Sequence, residues 1–259
     1  MIDWSLIAPL PKGRFDAGKP KRQWTVRRDA YAALPKQPLV ITAELVTPII
    51  HAERDATHLD SVLAFAALTD HPCESFHGPG GVSAVPVPLD LAWVSPEGLP
   101  LWASTPLMPA GETLATREYW HKRYPSHRAD FGDKLNAETS AGRWKEYRTP
   151  VNAQQVERLH ALAIGNGEEI ERLLGIVSHI GKKGSMGYGR VARWTVTPAG
   201  HALADVLALR AVPAAYYAVR QPVGTLSLNR GWTAPYWYSP WWADCLVARE
   251  LMPDLFGAH

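Results

Sequence analysis

An α+β domain is predicted by three observations on this chain. A run of strand formers at Pro38 to Ile50 leads into an amphipathic helix. A second amphipathic stretch, Glu168 to Ser178, leads through a glycine-rich turn into another run of strand formers, and shorter strand candidates lie between these two units.

Taken in order, PLVITAELVTPII places Leu39, Ile41, Ala43 and Leu45 opposite Val40, Thr42, Glu44 and Val46, the period-two pattern of a strand with one buried face. Thr57 or Asp55 can cap a helix running to about Thr69, with Leu59, Val62, Leu63, Phe65 and Ala66 as its apolar stripe. Val82 to Val94 reads as a second strand, and Pro86 and Pro88 assign it to an edge or a bulge. After the turn Ser95-Pro96-Glu97-Gly98, a third strand is expected at Leu99 to Leu107. A helix is expected over about Asn152 to Ala163. The next helix, Glu168 to Ser178, carries Ile170, Leu173, Leu174 and Val177 on one face, and the strand Tyr188 to Val196 follows. Without its insertion the order is β-α-β-β-α-β, the ferredoxin-like (RRM-like) split βαβ arrangement that many RNA-binding domains share. The expected organisation is a basic N-terminal arm at 1–37, a ferredoxin-like domain at 38–198 with an insertion at about 109–150, and a C-terminal extension at 199–259. Within that extension a helix is expected at Leu203 to Arg210 and short strands at Ala214 to Leu228.

Composition sets wide limits. At 259 residues and 46% hydrophobic, the chain can bury a substantial core. The net charge is only +2, yet Leu10 to Lys36 holds eight Lys or Arg against two Asp, either a polyanion-binding arm or a solvated leader. Cys73 and Cys245 are far apart and form no C-x-x-C pair, so neither a disulfide framework nor a zinc knuckle is indicated. No apolar run reaches membrane-span length and no signal-peptide core opens the chain, so a cytoplasmic location and no membrane partner are expected.

The densest functional signal is Ile180-Gly181-Lys182-Lys183-Gly184-Ser185-Met186-Gly187-Tyr188-Gly189-Arg190-Val191. Glycines let a ligand approach the main chain closely, and N–H groups with the ammonium groups of Lys182 and Lys183 meet negative charge. The loop lies between a helix and a following strand, the reverse of the Walker and dinucleotide motifs, so it cannot set a phosphate on a helix N-terminus as they do. It suits an extended polyanion, with Lys182, Lys183, Ser185 and Tyr188 as contacts and Arg190 at the strand onset. The plainer alternative is a turn that needs left-handed glycines. Ser185 has neither a strand-to-helix elbow nor an identified base, so a serine nucleophile is not indicated.

The insertion mixes cations with aromatics. Arg117, Tyr119, Trp120, His121, Lys122, Arg123, Tyr124, His127 and Arg128 fall close together, and Arg143, Trp144, Lys145, Tyr147 and Arg148 repeat the mixture. Single-stranded nucleic acid asks for this, because cations follow its backbone while aromatic faces stack on its bases at ~1–3 kcal/mol each. A helical excursion that packs its aromatics inward is the alternative. Trp232, Tyr236, Trp237, Tyr238, Trp241 and Trp242 form either a stacking platform or a local mini-core around prolines, and Arg220 and Arg230 are further phosphate candidates. His51, His58, His71 and His77 with Cys73 and Asp55 lack the spacing of a tight metal site, so no metal and no cofactor are expected. Asp60 instead favours the first turn of its helix.

Ile41 to Leu68 together with His179 to Val196 resembles the RAMP proteins of CRISPR systems. Thr47-Pro48 closing the first strand, His58-Leu59-Asp60 opening the helix and the glycine loop before the last strand carry the likeness, as does the aromatic tail Arg230 to Leu246. Within that group the chain looks most like the Cas-five type subunit of type IV effector complexes, Csf-three. The resemblance implies a non-catalytic subunit that grips the 5′ handle of a guide RNA and caps a ribonucleoprotein filament. It also implies a thumb, here 109–150, at the end where target DNA is engaged beside its protospacer-adjacent motif, and contacts to other effector subunits of backbone and large-subunit type. A family exception cleaves the guide precursor. The competing class is therefore a metal-independent endoribonuclease using His121, Lys122 and Tyr124, or Lys182 and Lys183 beside an imidazole.

Overall fold

The structure is a computed structural model that describes residues 29–51, 56–70, 87–94, 99–122, 145–216, 225–236 and 239–248. Strand β1 (Gln37–Leu45) forms from the alternating segment and buries Leu39, Ile41 and Ala43, as the pattern predicts. Helix α1 (Leu59–Asp70) comes next, with Leu59, Val62, Leu63 and Ala66 buried. Phe65 does not join them: it is 59% exposed and lines an open groove together with Pro235 and Trp242.

Residues 82–86 of the second strand candidate lie outside the described residues, and the part of it that forms a described strand is β2 (Trp93–Val94). The third candidate shortens to β3 (Leu101–Trp102), which pairs with β2, and then β4 (Met108–Pro109). In its described residues the insertion is an antiparallel ribbon, β5 (Leu114–Lys122) with β6 (Tyr147–Gln155), and 123–144 lie outside the described residues.

The helix expected over 152–163 is absent: this segment holds the end of β6 and most of β7 (Arg158–Gly165). Leu159, Ala161 and Ala163 are buried and alternate with half-buried His160, Leu162 and Ile164, a period of two. Pairing decides the matter, because β7 lies between β1 and β4 and bonds to both, and a sheet position fixes backbone that helix propensity leaves weakly determined. Helix α2 (Gly167–Leu174) and β8 (Val191–Pro198) complete the unit. Asn166 caps α2, its side chain accepting the Glu169 N–H at 3.0 Å, and all four anticipated face residues, Ile170, Leu173, Leu174 and Val177, are buried.

The main sheet has the order β4-β7-β1-β8 and every pairing in it is antiparallel. The molecule is thus α+β, with mostly antiparallel sheets and few helices. Its main core packs α1 and α2 against the inner faces of β1 and β7. Helix α3 (Leu203–Ala208), β9 (Val212–Pro213), β10 (Thr225–Arg230) and β11 (Ala243–Ala248) build a second, smaller layer in which the sheet order is β10-β11-β9. Trp232, Trp241, Tyr216 and Leu207 form its core together with Leu99 and Leu101. Of the tail aromatics, Trp232 and Trp241 are thus mini-core residues, while Trp242 remains 42% exposed.

In the described part of the basic arm, Tyr31 is buried and donates to Glu169 of α2 at 2.5 Å, and Lys36 pairs with Asp90. The Lys36 charge is therefore directed inward. Residues 1–28 lie outside the described residues.

Candidate nucleic-acid interface

The glycine loop is held from behind by β1 and the residues just after it. Lys182 N–H donates to the Ile50 carbonyl at 2.7 Å and Gly189 N–H to the Pro48 carbonyl at 2.8 Å. Thr47 clamps the loop in both directions: its hydroxyl donates to the Gly187 carbonyl at 2.6 Å and accepts the Arg190 N–H at 2.9 Å. Gly189 has no substitute here. Its φ is +64°, and a Cβ would stand 1.9 Å from the Ile180 carbonyl oxygen. Lys183 itself takes the left-handed conformation at φ +65° and leads a 3₁₀ turn over Gly184–Met186. The N–H groups at the head of that turn, on Lys183, Gly184 and Ser185, have no partner within it. Lys182, Lys183, Ser185 and Arg190 are exposed, and Tyr188 is half-buried.

The ribbon leans on this loop. Trp120 and Tyr188 pack with Ile50, Val151 and Ala153 in a small apolar cluster. The Lys183 ammonium lies 4.5 Å from the centre of the Trp120 ring, and the Tyr188 hydroxyl donates to the Glu118 carboxylate, which holds the phenol above its ordinary pKa. Segments far apart along the chain thereby form one surface of cations and aromatic faces.

The period of two divides the ribbon residues between two faces. Glu118, Trp120 and Lys122 stand opposite Val151, Thr149 and Tyr147, and Lys122 lies over the Tyr147 ring at 5.8 Å, on the same side as the glycine loop. Arg117, Tyr119 and His121 stand opposite Asn152, Pro150 and Arg148 on the far side. There the Arg148 guanidinium covers Tyr119 at 3.8 Å and Arg117 donates to Asn152 at 3.2 Å. Of the anticipated contacts, Trp120, Lys122, Lys182, Lys183, Ser185, Tyr188 and Arg190 thus lie on or beside the loop, whereas Arg117 and Tyr119 do not. Arg123 and Arg220 lie outside the described residues. Arg230 closes β10, behind the aromatic tail, where its charge acts on His58, Tyr236 and Cys245.

The endoribonuclease candidates are divided by this geometry. His121 faces away from Lys183, the imidazole beside the lysines is His179, bonded to Ser178 at 3.0 Å, and Tyr124 and His127 lie outside the described residues. His51 is hydrogen-bonded to Gln154 at 3.2 Å, and among the described residues no group of three potential metal ligands gathers.

A buried polar network joins α1 to the tail. Tyr236 donates to the Asp60 carboxylate at 2.9 Å and stacks on the His58 ring at 4.1 Å. Arg210 lies 3.6 Å from Asp60 and donates to the carbonyls of Trp102, Ser104 and Trp232. Burial raises the Asp60 carboxyl above its ordinary value against the pull of Arg210, and burial together with the charges of Arg210 and Arg230 pushes His58 well down, so its imidazole stays neutral. The Asp60 role at its helix end is therefore larger than a terminus effect.

A family model described as CRISPR type IV associated protein Csf3 matches residues 117–245, about half of the chain. The chain belongs to the type IV CRISPR-associated Csf3 family. As a Cas-five-like subunit of type IV systems, it carries most of the ribbon, the whole glycine loop and nearly all of the aromatic tail inside the matched span. The Csf3 match begins inside β5 and ends inside β11, so β1 and α1, which also carry the sequence likeness, lie before it. No curated protein matches the chain. Among the described residues no helix is long and apolar enough to cross a membrane.

The clamp Thr47 and the carboxylate Glu118 shape the ribbon and the loop, although residue type alone does not mark them as contacts. Alternation of Arg117 to Lys122 with its mirror in Lys145 to Val151 is the signal that identifies the ribbon.

Proposed function

We propose that this chain is a non-catalytic guide-RNA-binding subunit of a type IV CRISPR effector complex. The observation that supports it best is the single surface made by the glycine loop and the ribbon, in which Lys183 caps Trp120 and Lys182 and Ser185 are exposed beside them. An exposed cation row beside aromatic faces is what a single-stranded sugar-phosphate chain requires. The sheet order and the β-α-β-β-α-β succession of β1, α1, β4, β7, α2 and β8 support a ferredoxin-like reading of the domain. Capping of the 5′ handle, a thumb role for the ribbon at the end nearest the target DNA, contacts to other effector subunits and a cytoplasmic location follow from the family and are part of the same proposal.

The test is a salt titration of single-stranded RNA binding by the wild type and by Lys182→Ala/Lys183→Ala. For a single strand each neutralised phosphate contributes ~0.7 to the slope of log K against log salt, so removal of two contacts lowers the slope by about 1.4. The salt dependence between 50 and 200 mM then shrinks by about sevenfold. An unchanged slope overturns the reading.

A further inference from the structure

Beside the glycine loop a groove of about 620 Å³ runs between α1 and the aromatic tail. That volume falls in the ~300–1,000 Å³ range of small-molecule sites. Its walls are largely apolar, made by Val62, Phe65, Leu68, Val177, Pro235 and Trp242, while His58 and Lys182 also line it. Two features set it apart from an ordinary surface cleft. Phe65 and Trp242 leave 59% and 42% of their surface open, so two large ring systems face solvent at the groove. His58, 5% exposed, has no hydrogen-bond partner on either ring nitrogen among the described residues. A buried polar group in that condition is destabilising unless something else completes it.

We propose that this groove receives a nucleobase of single-stranded RNA, stacked by Trp242 and Phe65 and met at its polar edge by His58. The inference rests on the RNA-binding reading of the loop, since Lys182 stands at the groove and in the loop at once. A sugar-phosphate chain drawn across Lys182 and Lys183 passes the groove mouth and can turn one base into it. The neutral imidazole carries one donor and one acceptor, and every base edge offers at least one complement. An apolar peptide side chain would satisfy the walls but leave His58 dry, which favours the base. Stacking on aromatic side chains tolerates any base, so the site binds broadly and discriminates only through the His58 bond.

The experiment compares two ligands of about 12 nucleotides, oligouridylate and a base-free tetrahydrofuran-phosphate oligomer of equal length, a span within the range of single-strand sites. Trp242→Ala and Phe65→Ala each lower affinity for oligouridylate by about fivefold or more and leave the base-free oligomer unaffected. His58→Phe does the same through loss of the edge contact. Lys182→Ala/Lys183→Ala lowers affinity for both ligands. Photocrosslinking of 5-iodouridine-substituted oligouridylate maps to Trp242 or Phe65 in the wild type. The proposal is overturned if the aromatic variants change neither affinity, if they lower both equally, or if crosslinks fall only on the ribbon. A concentration-dependent dimer lost in Phe65→Ala, with RNA binding intact, would assign the groove to a second copy and overturn it too. A lysine variant without effect on either ligand removes the loop reading alone, and a wild type that binds neither ligand removes both.

Discussion

The Asp60→Ala substitution tests how the C-terminal layer is fastened to α1. Both side chains of the Asp60–Arg210 pair are essentially sequestered from water, at 1% and 0% exposure. Removing one member of a buried pair costs ~3–5 kcal/mol because the other charge is left without its complement. Here Arg210 keeps the carbonyls of Trp102, Ser104 and Trp232 and the Tyr236 hydroxyl, at 3.2 Å, as acceptors. Burial already works against the Asp60 carboxylate. The loss therefore falls at the low end, about 3 kcal/mol. Arg210→Met is worse, because it deprives three buried carbonyls of their donor at ~1–3 kcal/mol each and leaves a buried acid. Tyr236→Phe deletes a single hydroxyl bonded to Asp60 and costs about 1–2 kcal/mol. Equilibrium urea unfolding followed by tryptophan fluorescence measures all three, read as changes in midpoint at constant slope. A loss below about 1 kcal/mol for Asp60→Ala, or Tyr236→Phe proving the most damaging of the three, would refute the view that this network carries the junction.

Three further expectations concern the loop and its surroundings. Gly189→Ala forces a Cβ to 1.9 Å from the Ile180 carbonyl, whereas Gly187→Ala, at φ +90° with nothing within 4 Å, meets only the backbone penalty of about 1–2 kcal/mol; thermal melting should therefore separate the two clearly, with Gly189→Ala the more damaged. Glu118→Gln removes a negative charge next to Lys183 and Tyr188, so RNA affinity should rise by about two- to threefold at low salt and converge with the wild type at high salt, as measured by fluorescence anisotropy. The His58 pKa lies below its ordinary value of 6.5 in the folded chain, so the unfolded chain takes up the extra proton as pH falls through 6.5 and stability drops from there downwards; His58→Phe should flatten that acid limb in melts recorded from pH 7 to pH 5.

The parts of the fold that the sequence makes legible are those whose local period and tertiary environment agree. β1 and α2 each bury one clean face, so period two and period 3.6 locate them. α1 is located equally well, but Phe65, which the helical period assigns to the buried stripe, is 59% exposed and faces a groove whose other wall comes from a segment some 170 residues away. The stretch 152–163 misleads because Ala153, Val156, Leu159 and Ala163 fit a helical spacing while Leu159, Ala161 and Ala163 fit a strand, and only its neighbours β1 and β4 decide between the two. Candidate site residues are readable as types, since glycines with paired lysines and cations with aromatics are informative in any fold. Their sorting is not. Which face of the ribbon meets the loop depends on register, and the contact of Lys183 with Trp120 joins segments that no local pattern relates.

The two walls of the groove beside the loop come from segments distant along the chain, with α1 ahead of the ribbon and Pro235 to Trp242 near the far end. Shape on that side of the molecule is consequently a product of long-range assembly: until the late segment has docked, a nascent polypeptide already owns its lysines but has only half a receptacle. If the groove takes a base as proposed, that contact is acquired at the last step of folding, and damage at the Asp60 fastening is felt first as a lost grip on the base, before the sheet itself fails.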